Sequence, residues 1–88
     1  MSSPATFIIN TEACDGANQP WLERNMDTIR AMAGGGRVTV TCSGEEIAVA
    51  VREAVAARHA MVVGAGGDGT LNAIASHLVG TDVAFGVL

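Results

Sequence analysis

Lysine and tyrosine are absent from this sequence of 88 residues, and aromatic residues make up only 3% of it. A Walker-type phosphate loop needs a lysine beside its glycines, so that kind of nucleotide site is excluded. Nine acidic residues outnumber five arginines and give a formal net charge of −4. Nucleic-acid-binding domains usually carry a basic face. An acidic chain with scattered arginines therefore predicts no nucleic acid partner.

Cysteines and long apolar runs are also scarce. The two cysteines, Cys14 and Cys42, form no CxxC pair. In a chain with α/β character such cysteines favour reduced thiols in a cytoplasmic protein. No segment reaches the roughly 18 apolar residues of a membrane span, and no signal-like N-terminus is present. Neither His59 nor His77 has a second ligand at metal spacing, so no metal site built from side chains is predicted.

Strand and helix patterns alternate along the chain. Short apolar, β-branched runs predict strands at 6–10, 37–41, 60–63 and 83–88. Helices are predicted from Pro20 to the glycines at 34–36, from the capping box of Ser43 and Glu46 onward, and from Thr70 to Val79. The order β-α-β-α-β-α-β predicts an α/β fold in three layers, with a parallel sheet and helices on both faces.

A glycine-rich loop from Gly64 to Gly69 follows the third predicted strand and precedes the third helix. Glycine allows close approach of a ligand to the backbone, and successive N–H groups can bind phosphate oxygens. The following helix adds the positive end of its dipole. With a helix start at Thr70, the first turn has no acidic side chain to compete with an anion. Thr70 is expected to cap the helix or to offer its hydroxyl to phosphate.

Asp68 is the unusual member of this loop, because a carboxylate repels phosphate unless it has a task. It could hold Mg²⁺, take a proton from an attacking hydroxyl, or accept backbone N–H bonds. A lone Asp-Gly pair more often forms a tight turn, but the glycines around Asp68 favour a functional role. The G-x-G-x-x-G match fits a dinucleotide fingerprint poorly, because the loop does not follow the first strand.

The segment from Gly66 to Asn72, GGDGTLN, resembles the GGDGTxN signature of the diacylglycerol kinase catalytic domain family. That family includes bacterial lipid kinases and sphingosine kinases and is distantly related to NAD kinases. The similarity extends over essentially the whole chain, although only GGDGT is specific. It implies that residues 1–88 are the N-terminal part of a kinase nucleotide-binding domain. The family's second glycine loop and its C-terminal β-rich domain would then be missing.

The resemblance also implies a site, with ATP and Mg²⁺ as cofactors. Asp68 would be the catalytic base or an Mg²⁺-associated carboxylate. The nucleotide would be bound by Asn10, Gly66, Gly67, Gly69, Thr70 and Asn72. The γ-phosphoryl group would pass to a lipid hydroxyl, bound through the missing domain of a cytoplasmic or membrane-peripheral full-length protein. The chain alone is expected to bind nucleotide weakly and to catalyse little.

Departures from the family pattern leave alternatives open. After Asn10 the sequence lacks the family's Pro and Ser-Gly, and Ala73 stands where the family commonly has Glu. One alternative is an NAD kinase-like phosphotransferase with a soluble acceptor. Another is a non-catalytic nucleotide-binding or regulatory module. Apolar side chains on the first helix, including Trp21 and Met32, add the hypothesis of a homodimer.

Overall fold

The computed structural model describes residues 4–11 and 19–88, with the backbone alone for residues 19, 21 and 22. Strands and helices alternate throughout this part of the chain, as predicted. In chain order the elements are β1 (Ala5–Asn10), α1 (Gln19–Met32), β2 (Arg37–Thr41), α2 (Gly44–Ala56), β3 (Met61–Ala65), α3 (Asp68–Leu78) and β4 (Ala84–Val87). Most of the loop predicted before α1, with Cys14, lies outside the described residues.

The described strands form one parallel sheet in the order β2-β1-β3-β4. Successive side chains of a strand point to opposite faces. Phe7 and Ile9 of β1 therefore pack with Ile29 of α1. Ile8 lies on the other face, in a cluster with residues of α2 and α3, including Val51. Burial on both faces explains the continuous apolar runs of β1 and β3, and it confirms the three-layer α/β fold.

Helix α2 begins at the predicted capping box. The backbone N–H of Glu46 donates to Ser43 Oγ at 3.2 Å. The Glu46 carboxylate reaches back and accepts from the backbone N–H of Cys42 at 2.9 Å. The first bond satisfies an amide group that the first turn of a helix leaves without a partner, and the second ties the residue before the N-cap to that turn.

The C-terminal end of α2 is closed by backbone groups. Arg58 has φ +59°, the left-handed conformation that usually belongs to glycine at this position. Its N–H donates to Val55 O at 3.0 Å, and the N–H of His59 donates to Ala54 O at 3.1 Å. The side chain of His59 has a different partner. Its ring instead lies 2.6 Å from the hydroxyl of buried Thr6, with Nδ1 in the hydrogen bond.

Helix α3 begins at Asp68, two residues before the predicted start at Thr70. Gly67 takes the N-cap position with an extended backbone, φ −80° and ψ 179°. The prediction of a first turn without an acidic side chain is therefore wrong, because Asp68 occupies that turn. An acidic residue is favourable there because it interacts with the positive end of the helix dipole. Thr70 lies inside the helix and is not its cap.

The structure also bears on the predicted thiols, on membrane spans and on the apolar side chains of α1. Cys42 is disulfide-bonded, so the prediction of a reduced thiol is wrong for this residue, and the cysteines no longer argue for a reducing compartment. In the described residues, no helix combines the length and apolar character needed to cross a bilayer. Met32 is half exposed on α1, with 50% of its surface accessible.

Candidate functional site

The sheet order creates a crevice between the carboxyl ends of β1 and β3. In the sheet, β2 lies next to β1 on one side and β3 lies next to β1 on the other side. Helix α1 covers one face, and α3 covers the opposite face. In parallel α/β sheets, ligands bind at such a topological switch point, outside the carboxyl ends of the strands. Asn10 ends β1 and Gly66 directly follows β3.

Two glycines of the loop are required by the fold itself. Gly66 has φ +154°, and a Cβ there would lie 2.9 Å from the Cβ and Oγ1 of Thr70. A Cβ on Gly64 would lie 2.7 Å from Cδ1 of Ile74. Gly66 lets the loop pack closely on Thr70 at the start of α3, and Gly64, which lies in β3, leaves room for Ile74 further along the same helix. Both glycines are therefore explained without a ligand.

Gly67 and Gly69 have no such explanation. Neither has a positive φ, and a Cβ built on either would meet no described atom within 4 Å. Both are exposed, at the N-cap and in the first turn of α3. The first N–H groups of a helix lack partners within the helix. Open space above glycine at these positions leaves the amides accessible, which suits close approach by an anion.

Asp68 lies between these two glycines, and its side chain is exposed. Its carboxylate forms no ion pair or side-chain hydrogen bond with the described residues. Nor do these residues contain a cluster of three side chains able to hold a metal ion. A divalent cation bound here would therefore take most of its ligands from phosphate and water. Mg²⁺ commonly binds in this way, through one or two carboxylates.

A line of hydrogen-bonded polar side chains crosses the crevice. Thr41 Oγ1 donates to Asn10 Oδ1 at 2.9 Å. Asn10 Nδ2 donates to Thr70 Oγ1 at 3.1 Å. Thr41 and Thr70 are buried, with 1% and 8% of their surfaces exposed, respectively. The end of β2, the end of β1 and the start of α3 are thereby joined through side chains.

Thr41 was not among the predicted site residues. It faces Asn10 in the parallel register of β1 and β2. The family resemblance gave Asn10 as a site residue at the end of the opening strand, and Thr41 ends the next strand in the same way. Its place at the end of a strand was the one sequence signal that could have pointed to Thr41. That signal does not reveal its contact with Asn10, because the pairing partner of a parallel strand cannot be identified from local sequence.

Asn72 does not join this line. It is exposed on α3, two residues after Thr70. Residues two apart on a helix do not face each other. Its backbone carbonyl accepts from Ser76 Oγ at 2.8 Å. The structure thus brings together Asn10, Thr70 and the glycines, with Asn72 on a different side of the helix.

Comparison with known proteins identifies a family. The family model of the diacylglycerol kinase catalytic domain matches residues 4–88, which is nearly the whole chain. No curated protein matches the sequence. The matched range includes the crevice, the glycine loop and the hydrogen-bonded line from Thr41 to Thr70. The chain therefore belongs to the diacylglycerol kinase catalytic domain family.

Proposed function

We propose that this chain binds the polyphosphate of ATP in the crevice between β1 and β3, as the nucleotide-binding part of a lipid kinase. Membership of the family supports phosphoryl transfer as the chemistry. The observation that carries the proposal is the open space above Gly67 and Gly69. Their amides lie at the N-terminus of α3, beside the switch point of the sheet. Neither glycine is required by the fold, so a ligand that approaches the backbone explains both.

In the proposed site the amides of 66–69 and the N-terminus of α3 bind phosphate oxygens. Bound Mg²⁺ would neutralise charge that develops on the transferred phosphoryl group. The Asp68 carboxylate would contribute to holding that cation or would take the proton of the attacking hydroxyl. Asn10 and Thr70 lie at the side of the same crevice and would contact the nucleotide. The roles of these residues, and that of Asn72, are proposals.

The acceptor we propose is a lipid hydroxyl such as that of diacylglycerol. The family match supports this over NAD, because the matching model is that of the diacylglycerol kinases. The lipid would be bound outside residues 1–88, by a further domain of the protein. Location at a membrane surface and homodimer formation belong to the same proposal.

Nucleotide binding is tested by titration of the ¹⁵N-labelled chain with ATP and Mg²⁺ up to millimolar concentration. We expect the amide signals of residues 66–70 and of Asn10 to shift as ATP is added. The Asp68→Asn variant should keep binding ATP but should depend less on Mg²⁺. If the amides of 66–70 do not shift in millimolar nucleotide, the proposed function is wrong.

The acceptor is tested on a protein that includes the proposed lipid-binding domain, because residues 1–88 alone are expected to catalyse little. It is supplied with radiolabelled ATP, Mg²⁺ and vesicles that contain diacylglycerol, with NAD assayed in parallel. Label in phosphatidic acid supports the lipid kinase. Label in NADP would instead support the alternative of an NAD kinase-like phosphotransferase. Nucleotide binding without transfer to either acceptor would favour the non-catalytic module. Asp68→Asn is the matched control, because any genuine transfer should fall by about a hundredfold or more when the proposed base is removed.

A further inference from the structure

We infer that the chain has a second binding site, for a small zwitterion, in a cavity at the amino end of the sheet. The cavity has a volume of about 620 Å³, which is in the usual range for small-molecule sites. Its lining includes Ala60 and Val83, which come directly before β3 and β4. The strands are parallel, so this cavity and the phosphate-binding crevice lie at opposite ends of the sheet. The inference therefore does not depend on the proposed function.

Arg58 brings to the cavity a positive charge that the fold does not use. Its guanidinium forms no ion pair with any described residue. Its backbone has φ +59°, a conformation that glycine adopts at lower cost. Strained backbone positions are concentrated at functional sites. An arginine at such a position, without a partner in the described part of the chain, points to a ligand.

His59 adds a hydrogen-bond donor beside Arg58. The hydroxyl of Thr6 is buried, and His59 Nδ1 is its partner among the described residues. If this hydroxyl accepted from Nδ1, its own proton would be buried without an acceptor, which is costly. The hydroxyl therefore donates to Nδ1, and the ring proton of the neutral imidazole is on Nε2. That N–H has no described partner and suits an anionic oxygen.

The turn before β4 contributes a negative charge to the same cavity. The Thr81 hydroxyl already donates to Leu78 O at 2.7 Å. The exposed Asp82 carboxylate forms no ion pair with the described residues. Asp82 is therefore the acceptor that remains on this wall, and it does not neutralise Arg58.

Unpaired charges of opposite sign on two walls select the chemistry of the ligand. Asp82 would repel a simple anion, and Arg58 would repel a simple cation. A molecule with an anionic group and an ammonium group satisfies both. Val55 and Val83, partly buried against the core, give an apolar wall for the carbon atoms between its charges. Free amino acids have this chemistry, and so does phosphoethanolamine, either free or as a lipid headgroup.

Binding is tested by titration of the ¹⁵N-labelled chain with phosphoethanolamine, alanine, inorganic phosphate and ethanolamine, each to millimolar concentration. We expect the amide signals of 58–60 and 80–83 to shift with a zwitterion, at least about tenfold more tightly than with phosphate or ethanolamine. Sedimentation with phosphatidylethanolamine vesicles, but not with phosphatidylglycerol vesicles, would identify a lipid headgroup as the source. Without sedimentation, the ligand is a free zwitterion.

Two variants remove one charge each. Arg58→Asn keeps a residue that tolerates positive φ, and Asp82→Asn keeps the shape of the carboxylate. Each should weaken zwitterion binding by about tenfold or more. Arg52→Gln is the matched control, because Arg52 is an exposed arginine of α2 outside the cavity lining. The inference is wrong if neither zwitterion shifts 58–60 and 80–83, if phosphate alone binds as tightly, or if both folded variants bind like wild type. None of these outcomes alters the test of ATP binding at 66–70.

Discussion

Gly66 lies directly against Thr70, so closely that a Cβ on Gly66 would be 2.9 Å from the Thr70 hydroxyl oxygen. The contact seats the glycine loop on the start of α3, and Thr70 in turn accepts from Asn10. The conformation of the loop is therefore coupled to the ends of β1 and β2. Substitutions along this contact separate the demands of the fold from those of a ligand.

The first prediction concerns Gly66→Ala. The new methyl group would clash with Thr70, and φ +154° is unfavourable for alanine. We expect the free energy of unfolding to fall by about 2 to 3 kcal/mol. Gly35→Ala is the matched control, because Gly35 has φ +84° but no neighbour within 4 Å. The free energy of unfolding of Gly35→Ala should fall only by the cost of the positive φ for alanine, about 1 kcal/mol. Urea denaturation measures both, and equal losses would show that the Thr70 contact has no cost.

The second prediction is that Gly69→Ala has opposite effects on stability and on binding. Gly69 lies in the first turn of α3 without a positive φ and with open space around it. Alanine should stabilise the helix by about 0.5 kcal/mol. Its methyl group should hinder approach of phosphate to the amides and weaken ATP binding by about tenfold. Urea denaturation and an ATP titration are the measurements. Unchanged affinity in a variant at least as stable as wild type would contradict the proposed approach.

The third prediction is that Arg58→Gly stabilises the protein. Arg58 has φ +59°, which costs a residue with a Cβ about 1 to 2 kcal/mol relative to glycine. Loss of a positive charge near the end of α2 offsets part of the gain, so we expect about 0.5 to 1 kcal/mol from the two terms together. Ala57→Gly, one residue earlier at φ −81°, should instead destabilise. A loss of stability in Arg58→Gly would mean that the Arg58 guanidinium makes a contact that stabilises the protein by more than the relief of the positive φ.

The fourth prediction compares two Ser→Ala substitutions. Ser43 accepts from the backbone N–H of Glu46 at the start of α2, and its loss should cost about 1 kcal/mol. Ser76 lies within α3 and donates to the Asn72 carbonyl at 2.8 Å. Because alanine is the better helix former, Ser76→Ala should be neutral or stabilising by up to about 0.5 kcal/mol. Thermal unfolding of both variants checks the difference in sign.

Much of the fold was predictable from local sequence. Apolar, β-branched runs identified the strands, and the Ser43–Glu46 capping box correctly marked the start of α2. Both signals depend on residues close together in the chain. The start of α3 was wrong by two residues, because the sequence does not reveal whether Gly67 takes the extended backbone of an N-cap or remains in a turn. That difference moved Asp68 into the helix and Thr70 away from the cap.

The sequence by itself determined the alternation of strands and helices, the place of the glycine loop, and the family to which the chain is similar. Only the tertiary structure decided the strand order β2-β1-β3-β4, which forms the crevice beside Asn10. It also decided the meeting of Thr41 with Asn10, and of Asn10 with Thr70, across 31 and 60 residues of sequence, respectively. Parallel pairing joins strands far apart in the chain, and no local pattern encodes which side of β1 each one takes. The glycine loop could be recognised from its own residues, but the residues that it contacts depend on the order of the strands in the sheet.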